Sequence, residues 1–209
     1  MTRVALIHFH VILLVSEDFM TKKVIVLLAE GFEEVEAVTP IDYLRRAEIE
    51  ITIAAVGETT AVKGAHGLKV CADVTLNSLL KEGKLSASAW SGVITPGGRP
   101  GSDNLAASGE VGEFLKEMHK AGKWLFAICS APARVLAPLG LLKGKKFTCY
   151  PGEEAKVTDA EWSKDRVVID GNLITSRGAG TAGEFACAII DKLIGAGEGG
   201  KIAEHVVLY

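Results

Sequence analysis

Five short runs rich in β-branched and apolar residues, Val24–Ala29, Ile49–Val56, Gly92–Thr95, Lys123–Ile128 and Leu173–Ser176, recur along the chain among stretches of helical periodicity. Runs with little polar alternation suit strands buried on both faces, and parallel strands need crossover helices to join them. The pattern therefore predicts an α/β fold of parallel strands joined by crossover helices. The span Glu34–Ala47 sets Val35, Val38, Ile41, Leu44 and Ala47 three or four residues apart, as a helix lying on a sheet requires. Gly109–Ala121, Ala131–Leu139 and Thr181–Ile194 read as helices in the same way. Ala61–Val74 alternates and carries glycines, which predicts a hairpin, and a second one over Arg166–Thr175 turns at Asp170-Gly171. Ala196–Gly200 reads as a flexible joint before a strand-like end, Ile202–Tyr209.

At 209 residues the chain has ample length for one sizeable core. Residues 22–209 are read as one domain and residues 1–21 as an N-terminal extension. The apolar run Val4–Val15 resembles a signal-peptide core, but two histidines interrupt it, no small-x-small cleavage site follows, and it is too short to span a bilayer. His8 and His10 lack neighbouring ligands and are read as structural. Lysine and arginine number 23 against 26 acids, a net charge of −3 with no basic cluster, which argues against nucleic acid or a membrane surface as partner. Four cysteines without a CxxC pair indicate neither a disulfide scaffold nor a zinc ribbon, so a reducing cytoplasm fits.

Ligands of open α/β sheets bind beyond the carboxyl ends of the strands. That rule selects four loops: Glu30–Glu36, Pro96–Ser102, Cys129–Pro132 and Arg177–Thr181. In WLFAICSAPA a buried strand ends at Cys129 and a helix is expected within two residues, the outline of a nucleophile elbow. A helix N-terminus there would favour thiolate over thiol. A cysteine at such a turn can also serve as a small buried hydrophobe, and the residues leave both readings open. Cys71, Cys149 and Cys187 fall in predicted strands or a helix and read as core. Of the acids opening the first helix, Glu33 and Glu34 are expected to face solvent as partners of the helix dipole. Glu36 is expected to be drawn under the loops, where a buried carboxyl has a raised pKa suited to acid/base work. Thr95-Pro96-Gly97-Gly98 ends a strand in two glycines that allow close approach and offer amides to a developing oxyanion.

Taken in order, VLLAEGFEEVEAVTPIDYLRRA (Val26–Ala47), ITPGG (Ile94–Gly98), AICSAP (Ala127–Pro132), TCYPG (Thr148–Gly152) and LITSRGAGTAGEFA (Leu173–Ala186) resemble the DJ-1/PfpI family, also called ThiJ. The resemblance runs over roughly residues 22–209. PfpI-type proteases carry histidine directly after the cysteine; Ser130 stands there, so the chain is more similar to the DJ-1-like branch. The resemblance implies a flavodoxin-like sandwich of the class I glutamine amidotransferase-like kind, a homodimer, and a reactive cysteine bonded to a protonated glutamate. It sets the cysteine at Cys129, its partner at Glu36, oxyanion donors at the Gly98 and Ser130 amides beside Gly97, and Tyr150 where the animal branch has a pocket histidine. His66, His119 and His205 lie in unrelated segments.

The implied activity is a cofactor-independent, metal-free glyoxalase III or deglycase reaction on methylglyoxal-like dicarbonyls or their early glycation adducts. The alternative is a redox-sensing, stress-protective or chaperone-like protein acting through oxidation of Cys129. A cysteine peptidase ranks last for want of the adjacent histidine. Thiamine biosynthesis has neither a phosphate loop nor an acidic magnesium cluster behind it.

Overall fold

The computed structural model describes residues 21–209. The readings placed on Val4–Val15, His8 and His10 lie outside the described residues.

Strand β1 (Lys23–Leu28) leads through helix α1 (Glu34–Arg46) to β2 (Glu50–Ala55). A small antiparallel hairpin follows, β3 (Ala61–Lys63) with β4 (Lys69–Cys71), then β5 (Val74–Thr75) and α2 (Leu76–Lys81). Next come β6 (Gly92–Thr95), α3 (Gly101–Ala107), α4 (Gly109–Lys120) and β7 (Trp124–Ile128). Strands β8 (Lys146–Phe147) and β9 (Glu161–Trp162) pair with each other. The chain ends with hairpin β10 (Val167–Asp170) and β11 (Leu173–Ser176), then helices α5 (Ala182–Ile194) and α6 (Glu198–His205).

The main sheet runs β10–β11–β7–β6–β1–β2–β5, parallel throughout except for β10. Strand pleat divides its side chains between two cores. Val24, Val26 and Leu28 of β1 join Phe126, Ile128 and Ile174 under α1 and α5, packing on Ile41, Leu44, Phe185 and Ile189. Ile25 and Leu27 join Val93, Leu125 and Ala127 on the other face, against Leu115 and Met118 of α4. The expected flavodoxin-like three-layer α/β sandwich is the observed architecture.

The strands and the second hairpin stand within a residue of expectation, and the first hairpin ends at Cys71, with Val74 in β5 of the main sheet; four other readings are corrected. Helix α1 is rotated relative to its sequence reading: Val35 and Val38 are 46% and 42% exposed, while Glu36, Ala37, Pro40, Ile41 and Leu44 face inward. Ala131–Leu139 is not an α-helix but a π turn, Pro132–Leu136, followed by a 3₁₀ turn, Ala137–Leu139, closed by Gly140 at φ 74. Pro138 has no amide to donate to the carbonyl four residues back, and its ring crowds that carbonyl, so a regular helix cannot continue through it. The strand-like end is α6: Asp191 Oδ1 accepts the amides of Gly197 (3.0 Å) and Gly199 (2.8 Å), and Ala203 is buried. The cap and the buried Ala203 favour helix over Ile202–His205, and Val206 and Val207 form the turn that follows. Cys71 is exposed rather than core, whereas Cys149 and Cys187 are buried as expected.

Candidate active site

Strands β11, β7, β6 and β1 are consecutive neighbours in the sheet, so the loops after them meet at one edge. Those are the four loops selected from the sequence. Glu36, in the first turn and a half of α1, is 1% exposed, and its Oε2 accepts the Gly97 amide at 2.9 Å. The Ala179 amide reaches the same carboxyl. Burial pushes Glu36 up to about 7, against the lowering effect of Cys129 and the two amides. A large share of the protein therefore carries a proton on Glu36 at neutral pH, as expected for a buried carboxyl.

Cys129 sits at the turn with φ 65, a left-handed conformation uncommon for a side-chain-bearing residue and found at nucleophile elbows. Two backbone bonds fix it there: its amide donates to the Ser176 carbonyl (2.9 Å), and its carbonyl accepts the Tyr150 amide (2.7 Å). The expected lowering of the thiol is not what the surroundings produce. Burial and the negative charge of Glu36 push Cys129 upward, and only the Ser130 and Gly98 amides pull it down. The segment after the turn is π-helical, and the Ser130 and Gly98 amides that act on the sulfur are outweighed by burial and the Glu36 charge. Protonating Glu36 removes the charge that opposes the thiolate, so one proton is shared between the two groups.

The glycines are required by space. A Cβ on Gly97 would lie 2.7 Å from both Cys129 Cβ and Glu36 Oε2. Gly98, at φ 96, would press a Cβ to 2.4 Å from the Glu33 amide nitrogen. Ser130 is buried, and its hydroxyl meets Ser102 Oγ at 2.9 Å, which in turn donates to the Gly98 carbonyl at 2.9 Å. The two amides that face the sulfur are thereby tied to one another. Tyr150 lies beside the site and is 53% exposed as a residue.

Glu34 departs from expectation. It is largely buried, and its Oε1 accepts the amides of His66 (2.7 Å) and Leu68 (3.3 Å) while Oε2 meets His66 Nδ1 at 3.0 Å. Burial opposes its charge, but these bonds hold its carboxyl below the usual range. His66 also lies 3.2 Å from Glu33, so the three residues dock the β3–β4 hairpin onto α1. His66 thus belongs to the rim of this region and not to an unrelated segment.

Sequence reasoning also missed a clamp. Glu153, just after the Tyr150 turn, bonds to Arg99, to Arg134 (2.9 and 3.1 Å) and to Lys156 (2.6 Å). It holds the Tyr150 loop to the loop of Gly98. Burial works against its charge, yet the Arg134, Lys156 and Arg99 bonds hold its carboxyl down to about 2. A depressed pKa contributes stability above the ordinary carboxylate range that is lost as pH falls from about 4.5 to about 2. Glu153→Gln is therefore expected to cost roughly 3 kcal/mol at pH 7, or ~5–10 °C in Tm. The gap to wild type should close in thermal unfolding scans as pH drops below 4.5.

The sequence profile of the DJ-1/PfpI family matches residues 22–192. Protein DJ-1 homolog B of Arabidopsis thaliana is 40% identical over 188 residues, which are 90% of this chain and 42% of that protein, so the chain spans less than half of that relative. The glutathione-independent glyoxalase DJR-1.2 of Caenorhabditis elegans is 35% identical over 173 residues, 82% of this chain and 88% of that protein. Among solved structures, oxidized DJ-1 of Toxoplasma gondii superposes with a TM-score of 0.83 at 34% identity, covering 89% of this chain and 98% of that one.

Proposed function

The chain belongs to the DJ-1/PfpI family, and on that premise we propose that it is a cysteine-dependent, cofactor-independent glyoxalase III or deglycase-type enzyme. In this reading it converts methylglyoxal-like dicarbonyls, or their early glycation adducts, to 2-hydroxy acids. The observation that carries it is a partly buried Cys129 held between the Glu36 carboxyl and the Gly98 and Ser130 amides. The glyoxalase name of a relative at 35% identity supports it.

The steps follow from that geometry. Glu36 takes up the proton that the thiol gives up, and the sulfur adds to the aldehyde carbon, forming the S–C bond of a hemithioacetal. The new oxyanion lies toward the Gly98 and Ser130 amides, which stabilise the developing charge. Glu36 returns that proton to the oxyanion and, a carboxylate again, moves a proton from the aldehyde carbon to the neighbouring carbon, while the hydroxyl proton passes to the former keto oxygen, leaving a thioester next to a hydroxyl. Water cleaves the S–C bond and releases the acid and the thiol. One carbon is oxidised as its neighbour is reduced, so no external oxidant or cofactor enters. Tyr150 in place of histidine offers a hydrogen-bond donor and an aromatic wall, not a base.

The test is lactate formation from methylglyoxal by purified protein without glutathione, with catalase present to protect the thiol. Lactate above the uncatalysed rate is the expected result, and its absence removes this reading. A second reading, redox sensing at Cys129, is favoured by the oxidized state of the Toxoplasma gondii neighbour. Addition of two oxygens confined to Cys129 after mild peroxide, read by mass, is its expected signature. In our reading residues 22–209 act as one domain, in a reducing cytoplasm suited to free cysteines. They pair as a homodimer, for which the exposed Val35 and Val38 of α1 provide apolar surface. Among the described residues no helix is long and apolar enough to cross a membrane.

A further inference from the structure

Gly178 lies at the site, yet neither its backbone conformation nor a steric clash demands glycine there. Its φ of 161 and ψ of −170 are extended backbone that any residue adopts. Its peptide is pinned, because its amide donates to Thr181 Oγ1 (3.1 Å) and its carbonyl accepts the Thr181 amide (2.8 Å). Yet the residue is buried, and a Cβ built on it would lie 3.6 Å from Tyr150 Cδ2, 3.7 Å from Glu36 Oε1 and 4.0 Å from Cys129 Sγ. These are ordinary contact distances. The missing side chain leaves room for about one methyl group, walled by the aromatic ring and bordered by the two reactive groups.

We propose that this space receives the substituent of the dicarbonyl, making Gly178 the residue that sets how large a 2-oxoaldehyde the site accepts. The inference rests on the glyoxalase reading above and deepens it. Once sulfur has bonded to the aldehyde carbon, the methyl of methylglyoxal is three bonds from sulfur, about 4 Å away in an extended arrangement from standard bond lengths. That matches the vacant position. The Tyr150 ring gives the methyl an apolar contact, and the Gly98 and Ser130 amides on the sulfur leave the oxygen a separate place. Glyoxal, which has hydrogen where methylglyoxal has methyl, does not use the space.

Gly178→Ala fills the space without clash or backbone strain. Its kcat/KM for methylglyoxal is expected to fall roughly ten- to a hundredfold, the range for one methyl group too many in a pocket, while that for glyoxal stays within about twofold. Gly180→Ala, where an added Cβ meets nothing within 4 Å, is the control and should change neither. Equal losses on both substrates, or no loss on either, would overturn the assignment. If wild type turns over neither dicarbonyl, the glyoxalase reading falls, and alkylation decides the pocket. Iodoacetamide and 2-iodopropionamide differ by the same methyl, and their rates at Cys129 are read by peptide mass. Selective slowing of the branched reagent in Gly178→Ala keeps the pocket, and equal rates refute it.

Discussion

Cys129→Ala is expected to reduce lactate formation from methylglyoxal to the uncatalysed level, a loss of at least about a thousandfold in kcat. The sulfur is the only atom at the site that forms a bond to the substrate in this mechanism, so what remains is the contribution of the amides alone. Stability should hardly change. The sulfur is a single partly buried atom, and alanine keeps the Cβ, so the cost of φ 65 is common to both proteins. A variant that unfolds at the wild-type temperature and still turns over at a tenth of the wild-type rate would remove covalent catalysis by Cys129.

The second large effect has two opposite signs in one variant. Glu36→Gln is expected to lower kcat/KM by at least about a hundredfold, because the amide can neither take the thiol proton nor carry one between carbons. In wild type the pair should lose its first proton near pH 7, so kcat/KM should rise about tenfold per pH unit below 7 and level off above. In the variant the residual rate should climb only at higher pH, since burial still pushes the Cys129 thiol upward. Stability should move the other way. A carboxyl raised from 4.5 to about 7 binds more protons in the folded state, so wild type loses stability as pH rises through that window. The full difference is roughly 3 kcal/mol above pH 7, less whatever the Gly97 and Ala179 amides lose with glutamine. Glu36→Gln should thus unfold several degrees higher than wild type at pH 8 and at nearly the same temperature at pH 4. A variant no more stable at pH 8 than at pH 4, relative to wild type, would show that Glu36 is not held protonated by burial.

Much of this arrangement was legible in the sequence. Apolar runs with little alternation identified the buried parallel strands, and the rule of carboxyl ends selected the four loops that do converge. What periodicity could not show was the phase of α1. Val35 and Val38 satisfied a helical stripe as well as Ala37, Ile41 and Leu44 do, and only contact with the sheet decides which stripe is buried. That choice carries Glu36 inward. Glu34 was misread for a related reason: its partners, the amides of His66 and Leu68, belong to a hairpin that nothing local links to α1. The direction of the Cys129 shift is not legible locally, because the burial and the Glu36 charge that outweigh the nearby amides come from tertiary packing. The Arg177–Thr181 loop was singled out without naming Gly178, because a glycine in a glycine-rich loop reads as a turn until the neighbours of its absent side chain are known.

The order of strands at the site edge also bears on how the protein acquires its reactivity. Glu36 and Cys129 are about 90 residues apart in sequence, and they meet through the ladder β1–β6–β7, none of whose pairings is local. Closing such loops costs entropy before any contact offsets it, so the sheet centre is expected to form late and all at once. No shorter fragment of a nascent chain holds both groups. The pairing of thiol and carboxyl, with the proton they share, therefore arises only once the central strands have zipped together.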